Sequence, residues 1–155
     1  MSSGNARPYA LDGGLQMNYW PAEVTGLAEC AEPLLAAVAD LAERGATTAR
    51  VRYDRPGWVA HGSTDLWRAT WPSGEPPEGL WTCGGAWLCR ALWEHWAFSR
   101  DPDFLSRAWP TMRGAAEFLL ASLTRDAQGR LVVNPSFSPG ATFPIEGGGA
   151  ALSDR

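Results

Sequence analysis

The stretch WTCGGAWLCRALWEHWAFSR, residues 81–100, decides the reading of the fold. Leu88, Leu92 and Trp96 recur at helical spacing, and Trp81, Trp87, Cys89 and Trp93 add apolar character on other sides. The pattern predicts a helix over 81–100 that is buried on most faces. Gly84-Gly85 near its start permits close backbone approach. Downstream, residues 101–125 read as a second helix. Asp101 can cap it, Pro102 fits its first turn, and Phe104, Leu105, Ala108, Met112, Ala115, Phe118 and Leu119 supply the periodicity. Pro110 predicts a kink or a division into two helices. Upstream, Leu34, Leu35, Val38 and Leu41 predict a helix over about 28–44, with Pro33 in its first turn and Gly45 as its stop. Residues 46–54 read as a shorter helix, and Pro21 to Gly26 as a helical turn. RDAQGR reads as a turn and LVVN, 131–134, as one short strand. No βαβ rhythm, GxGxxG or Walker loop is present. The expected class is all-α: helix pairs joined by long loops, the pattern of a helical toroid ringing a central cleft.

The segments between helices carry much of the chemistry. Residues 1–14 read as a tail or linker, which leaves 15–155 as the domain. Residues 55–80 are rich in Pro and Gly, yet hold Trp58, His61, Asp65, Trp67 and Trp71. That is not a disordered composition, so an ordered functional loop is expected. The 155 residues fit one domain, and 45% apolar residues suffice for a core. A net charge of −4 gives no basic surface for nucleic acid. All 13 cationic side chains are Arg, which reads first as coding bias. Cys30, Cys83 and Cys89 form neither a disulfide frame nor a zinc pattern and are expected as buried free thiols; no metal or cofactor is implied. MSSGNARPYALDGG has no apolar core of a signal peptide, so a cytoplasmic location is the default. No run approaches the ~18 apolar residues of a membrane span. Nine tryptophans are many for this length. Some belong to the core; others suit a groove that stacks on sugar rings.

Several segments together carry a family resemblance. They are QMNYWPAEV (16–24), RGATTARVRY (44–53), GWVAH (57–61), TDLW (64–67), GGAWLCRALWEHW (84–96), GAAEFLL (114–120) and NPSFSP (134–139). In this order they resemble the catalytic domain of glycoside hydrolase family 95, whose members are mostly α-L-fucosidases. The resemblance runs from about residue 11 to residue 143. It implies an (α/α)6 barrel of which this chain holds the first half, with exposed apolar helix faces or a partner, such as the other half of the barrel, that covers them. Relatives are often exported, which leaves location open.

The resemblance also implies a reaction: inverting hydrolysis of a fucosyl bond, in which a carboxylic acid protonates the leaving oxygen while water attacks the opposite face. In the family two Asn amides just before QMNYW hold the water; here those positions are Asp12 and Gly14. The acid follows the NPSxSP run; here that position is Gly140. A supporting Asp is expected beyond Arg155. No catalytic set is therefore intact. Glu146 is a candidate substitute acid and Asp12 a candidate water-binding group. The expected substrate-binding residues are Asn18, Trp20, His61, Asp65, Trp67, Asn134 and Ser136. Asn18 offers two hydrogen bonds to vicinal hydroxyls and Trp20 a stacking face. Glu23 is expected as a helix N-terminal charge, and His95 as a satisfied core group paired with Glu94. Two readings follow for the chain, with a fucosylated glycan as ligand in each. One is a piece of an α-L-fucosidase-type hydrolase with impaired activity alone. The other is a non-catalytic carbohydrate-binding or vestigial domain. A helical module with purely structural Trp is the weaker third.

Overall fold

The computed structural model describes residues 9–73, 79–134 and 136, with the backbone of 143–145 and 149–151. Among these residues four α-helices dominate: α1 (Gly13–Val24), α2 (Glu32–Tyr53), α3 (Gly84–Ser99) and α4 (Pro102–Ser122). A 3-10 turn, Ala28–Ala31, leads into α2. The described strands are two or three residues long and pair as antiparallel ribbons: β1 (Tyr9–Ala10) with β2 (Ser63–Thr64), β3 (Thr124–Arg125) with β4 (Leu131–Val132), and β5 (Phe143–Ile145) with β6 (Gly149–Ala151). The one expected strand, LVVN, is half of the second ribbon. The chain is all-α in substance, as read from sequence, with α3 packed against α4, α2 and α1.

Several boundaries differ from expectation, each for a tertiary reason. Gly45 does not stop α2. Val38, Leu41, Gly45, Thr48 and Ala49 are all buried, so one apolar stripe runs on to Tyr53. Gly45 is small because a Cβ there would stand 2.5 Å from the Val59 carbonyl oxygen. The helix ends at Asp54, in the left-handed region at φ 52°, just before Arg55-Pro56. α4 is one helix that continues through Pro110, capped by Asp101, whose side chain accepts the Asp103 N–H. α1 likewise runs through Pro21 and starts at Gly13, eight residues before the turn expected at Pro21–Gly26 begins. Residues 9–14 are part of the fold rather than a tail: β1 pairs with β2, the Leu11 N–H donates to the Gly62 carbonyl, and Leu11 is buried in the core. Residues 1–8 lie outside the described ones.

The segment after α2 is the centre of the packing. Trp58, Val59, Ala60 and His61 are all buried. Trp58 stands between three helices, and each meets it with a glycine. A Cβ on Gly45 of α2 would lie 3.1 Å from the indole, on Gly85 of α3 2.9 Å, and on Gly114 of α4 3.0 Å. The indole N–H donates to the Thr111 carbonyl at 2.7 Å. Gly57 precedes it at φ 72°, where a side chain would also overlap the Gly114 carbonyl. The expected close approach at Gly84-Gly85 is thus observed. α3 is less enclosed than its composition predicts. Gly84, Gly85, Leu88 and Leu92 are buried, while Trp93 and Phe98 are about half exposed. Val24, Val51, Trp109 and Leu120 are exposed on the other helices, the unpaired faces expected of a partial barrel.

Candidate functional site

Alternating helices place all the long connections at one end. α3 and α4 are joined by Arg100 and Asp101 alone and therefore run antiparallel. At the opposite end the start of α1 meets the loop through Leu11 and Gly62. The end of α2 meets it through Tyr53 and His61. The start of α3 packs under the carbonyls of Ala60 and His61, against which a Cβ on Gly84 would collide. The end of α4 brings Phe118 edge-on to Tyr53, ring centroids 5.5 Å apart. Function is carried on loops held by a rigid scaffold, which makes this end the place to look.

A cleft of about 250 Å³ opens there, lined by Tyr53, Arg55, Leu80, Thr82, Phe118, Ser122, Thr124, Val133 and Asn134. Its wall is fixed from behind by His61. A carbonyl only accepts, so the 2.7 Å contact to the Thr70 oxygen requires a proton on His61 Nδ1. Burial drives the imidazole pKa below its ordinary value, against the opposing effect of the Thr70 bond, and Arg52 lowers it further. The ring is therefore neutral, and Nε2 accepts the Tyr53 hydroxyl at 2.6 Å. Tyr53 also stacks on the imidazole, and burial raises its own pKa. The surrounding loop is tied in the same way: the Thr48 and Thr70 hydroxyls bond at 2.6 Å, and Thr64 donates to the Ala69 carbonyl at 2.8 Å.

This arrangement redistributes the residues expected to bind substrate. Asn134 stands on the cleft rim, exposed, and Ser136 is half-buried nearby in sequence but does not line the cleft. His61 is fully buried with both nitrogens occupied, so in this chain it positions Tyr53 and has no free atom for a hydroxyl. Asp65 is not free either: one carboxylate oxygen accepts the backbone N–H groups of Trp67 at 2.9 Å and Ala69 at 3.0 Å. Trp67 is 78% exposed beside Arg44, Thr47 and Arg68, in a separate surface depression. Trp20 borders a crevice of only about 20 Å³ with Gln16, Tyr19, Glu23 and Glu94, and Asn18 is exposed on α1. The expected residues thus fall on at least three surfaces. Gln16, in the same motif, is buried and donates to the Trp87 carbonyl, tying α1 to α3.

The polar groups expected to be structural are so, with different partners. His95 Nδ1 lies 2.7 Å from Glu23 at the far end of α1 and α3, while Glu94 pairs with Arg90. Glu23 is therefore no helix N-terminal charge. Asp12 caps α1, its carboxylate accepting the Gly14 N–H at 3.0 Å. Gly140 and Glu146 lie outside the described residues. Cys30 is exposed, contrary to the expected burial, while Cys83 and Cys89 are partly enclosed. Burial pushes the Cys89 thiol up to about 12, so it is no nucleophile. Among the described residues no group of three or more His, Cys, Asp or Glu is placed to hold a metal, and no helix is long and apolar enough to cross a membrane. Sequence reasoning passed over Tyr53, Thr82 and Arg55, although Tyr53 closes the quoted segment 44–53.

The family model for the glycosyl hydrolase family 95 catalytic domain matches residues 6–154. The chain belongs to that family. Alpha-L-fucosidase 2 of Arabidopsis thaliana is 43% identical over 135 residues, covering 86% of this chain and 16% of that protein. Probable alpha-fucosidase A of Aspergillus niger is 34% identical over 137 residues, 84% of this chain and 17% of that protein. The chain spans about a sixth of the length of these relatives. The family 95 match includes residues 9–14, which agrees with their place in the fold.

Proposed function

We propose that this chain supplies part of the sugar-binding wall of an α-L-fucosidase-type catalytic domain, and that by itself it binds glycan without cleaving it. The complete domain hydrolyses fucosyl bonds with inversion, and the ligand is a fucosylated oligosaccharide. The family match over residues 6–154 carries this reading. The cleft at the long-loop end supports it. Asn134 presents an amide on the rim, Tyr53 a hydroxyl oxygen, and Phe118 and Leu80 an apolar floor. A few placed polar groups over an apolar floor are what a sugar site needs. Asn18 and Trp20 bind, in this account, a part of the glycan outside the cleft, and Trp67 offers a further rim whose loop Asp65 holds in shape through its two backbone bonds.

Loss of hydrolysis follows from the side chains present. A glycine at 140 offers no proton, and Gly14 offers no amide to hold water. Asp12, the remaining candidate at the water site, is engaged as a helix cap. These substitutions also favour the second reading, a carbohydrate-binding domain that takes no part in catalysis. The two diverge on one point: a piece of a hydrolase recovers activity when the rest of a family 95 barrel is supplied in trans, and a vestigial binding domain does not. The direct test of binding is a tryptophan fluorescence titration with L-fucose on the parent and on Asn134→Ala. Saturable quenching that weakens in the variant is expected; identical curves would remove Asn134 from the site.

A further inference from the structure

The cleft differs in charge from the chain that forms it. The protein carries 17 acidic residues and a net charge of −4. Yet none of the described residues lining the cleft is Asp or Glu, and one, Arg55, is a cation. Arg55 forms no ion pair among the described residues; its Nη1 donates only to the neighbouring Asp54 carbonyl, at 3.1 Å. Asp54 itself is exposed and does not line the cleft. Three of the cleft hydroxyls already donate elsewhere: Ser122 to the Phe118 carbonyl, Thr124 to the Val132 carbonyl, and Tyr53 to His61. The guanidinium of Arg55, the Thr82 hydroxyl and the Asn134 amide remain as donors. The apolar part of the lining is Leu80, Phe118 and Val133. Arg52 stands close enough to act electrostatically on both Tyr53 and His61, so a second guanidinium adds to the positive field at this end of α2. The volume of about 250 Å³ equals that of roughly eight waters at ~30 Å³ each, room for one monosaccharide ring.

We propose that this cleft is a subsite for a carboxylate-bearing sugar, a uronic acid unit of the glycan. Arg55 pairs with the carboxylate, Thr82 and Asn134 donate to ring hydroxyls, and Phe118 and Leu80 cover the apolar face of the ring. A planar guanidinium matches a carboxylate with two parallel hydrogen bonds, which a neutral sugar does not satisfy. The proposal rests on the reading of the chain as a glycan-binding domain and adds to it the charge of the unit bound.

The test is isothermal titration calorimetry of the full 155-residue chain with D-glucuronate, D-glucose, acetate and L-fucose at low ionic strength. Glucuronate is expected to bind about tenfold more tightly than glucose or acetate, the worth of one charge-assisted interaction at a wet site. Arg55→Ala should erase that preference, and Arg55→Lys should keep part of it. Salt should weaken glucuronate and leave glucose unchanged. Arg55 is exposed, so its loss should leave the fold intact, which circular dichroism verifies. Equal binding of glucose and glucuronate overturns the proposal. So does acetate binding as tightly as glucuronate, an Arg55→Ala variant that keeps the preference, or no binding of any sugar. Fucose binding with no glucuronate preference overturns this inference alone. A glucuronate preference that depends on Arg55, with no fucose binding, overturns the fucosidase reading alone.

Discussion

Replacing Gly114 with Ala should destabilise the protein when Trp58 is present and stabilise it when Trp58 is absent. Gly114 sits inside α4, where Ala is favoured over Gly by about 1 kcal/mol. In the parent the new Cβ would stand 3.0 Å from the indole Cδ1. The indole cannot retreat. Gly85 and Gly45 close its other sides, and its N–H is held on the Thr111 carbonyl. Overpacking of this kind costs about 1–3 kcal/mol, so the net loss is about 1 kcal/mol after the helix gain. Trp58→Ala alone should cost about 3–5 kcal/mol from lost burial and the cavity left between three helices. At a urea slope near 2 kcal/mol/M that is roughly a 2 M fall in midpoint. In that background the Gly114 Cβ loses both indole contacts and keeps an ordinary contact with the Gly57 Cα at 3.8 Å, so Gly114→Ala should raise the midpoint. The assay is urea unfolding of the parent, both single variants and the double variant, all in the same stabilising osmolyte so that each keeps a native baseline. A Gly114→Ala effect of the same sign and size in both backgrounds would refute the view that the glycine exists to admit the tryptophan.

Three further outcomes follow from the site. Tyr53→Phe removes the hydroxyl from His61 Nε2 and should cost about 1–3 kcal/mol, because it strands a buried acceptor; an unchanged thermal midpoint would contradict the assigned tautomer. His61 has a folded pKa below its ordinary value because it is buried. The unfolded state therefore binds more protons, and stability falls as pH drops below about 6.5 toward the folded value. His61→Gln should flatten that slope between pH 7 and 5, and an equally steep slope in the variant would assign it to other groups. Asp65→Ala frees two backbone N–H groups and should loosen the loop by about 1–2 kcal/mol. Faster amide exchange at Trp67 and Ala69 is the signature, and unchanged protection would refute it.

The helices were legible because their apolar spacing is local. Leu88 and Leu92 in α3, Phe118 in α4 and Leu41 in α2 point to the core as their periodicity requires. Errors arose where a residue answers to a distant neighbour. Gly45 reads as a helix stop because nothing in its local sequence reveals the Val59 backbone passing beside it. His61 reads as a cleft group because it lies in a polar loop, while its burial is set by Tyr53 of α2, the start of α3 at Gly84 and Thr70. Asp65 carries the composition of a ligand-binding carboxylate and spends it on two local N–H groups. Arg55 carries no local signal at all. Its significance lies in the absence of a carboxylate among the described residues around the cleft, a three-dimensional property.

The most direct test of the account is fucose release from 2′-fucosyllactose by the purified chain, with tryptophan fluorescence read in the same tubes. The account predicts saturable quenching and no release above a boiled control, because Gly140 and Gly14 supply neither proton nor water-holding amide. Release that survives purification and disappears in Glu146→Gln or Asp12→Asn would contradict it and assign the chemistry to that carboxylate.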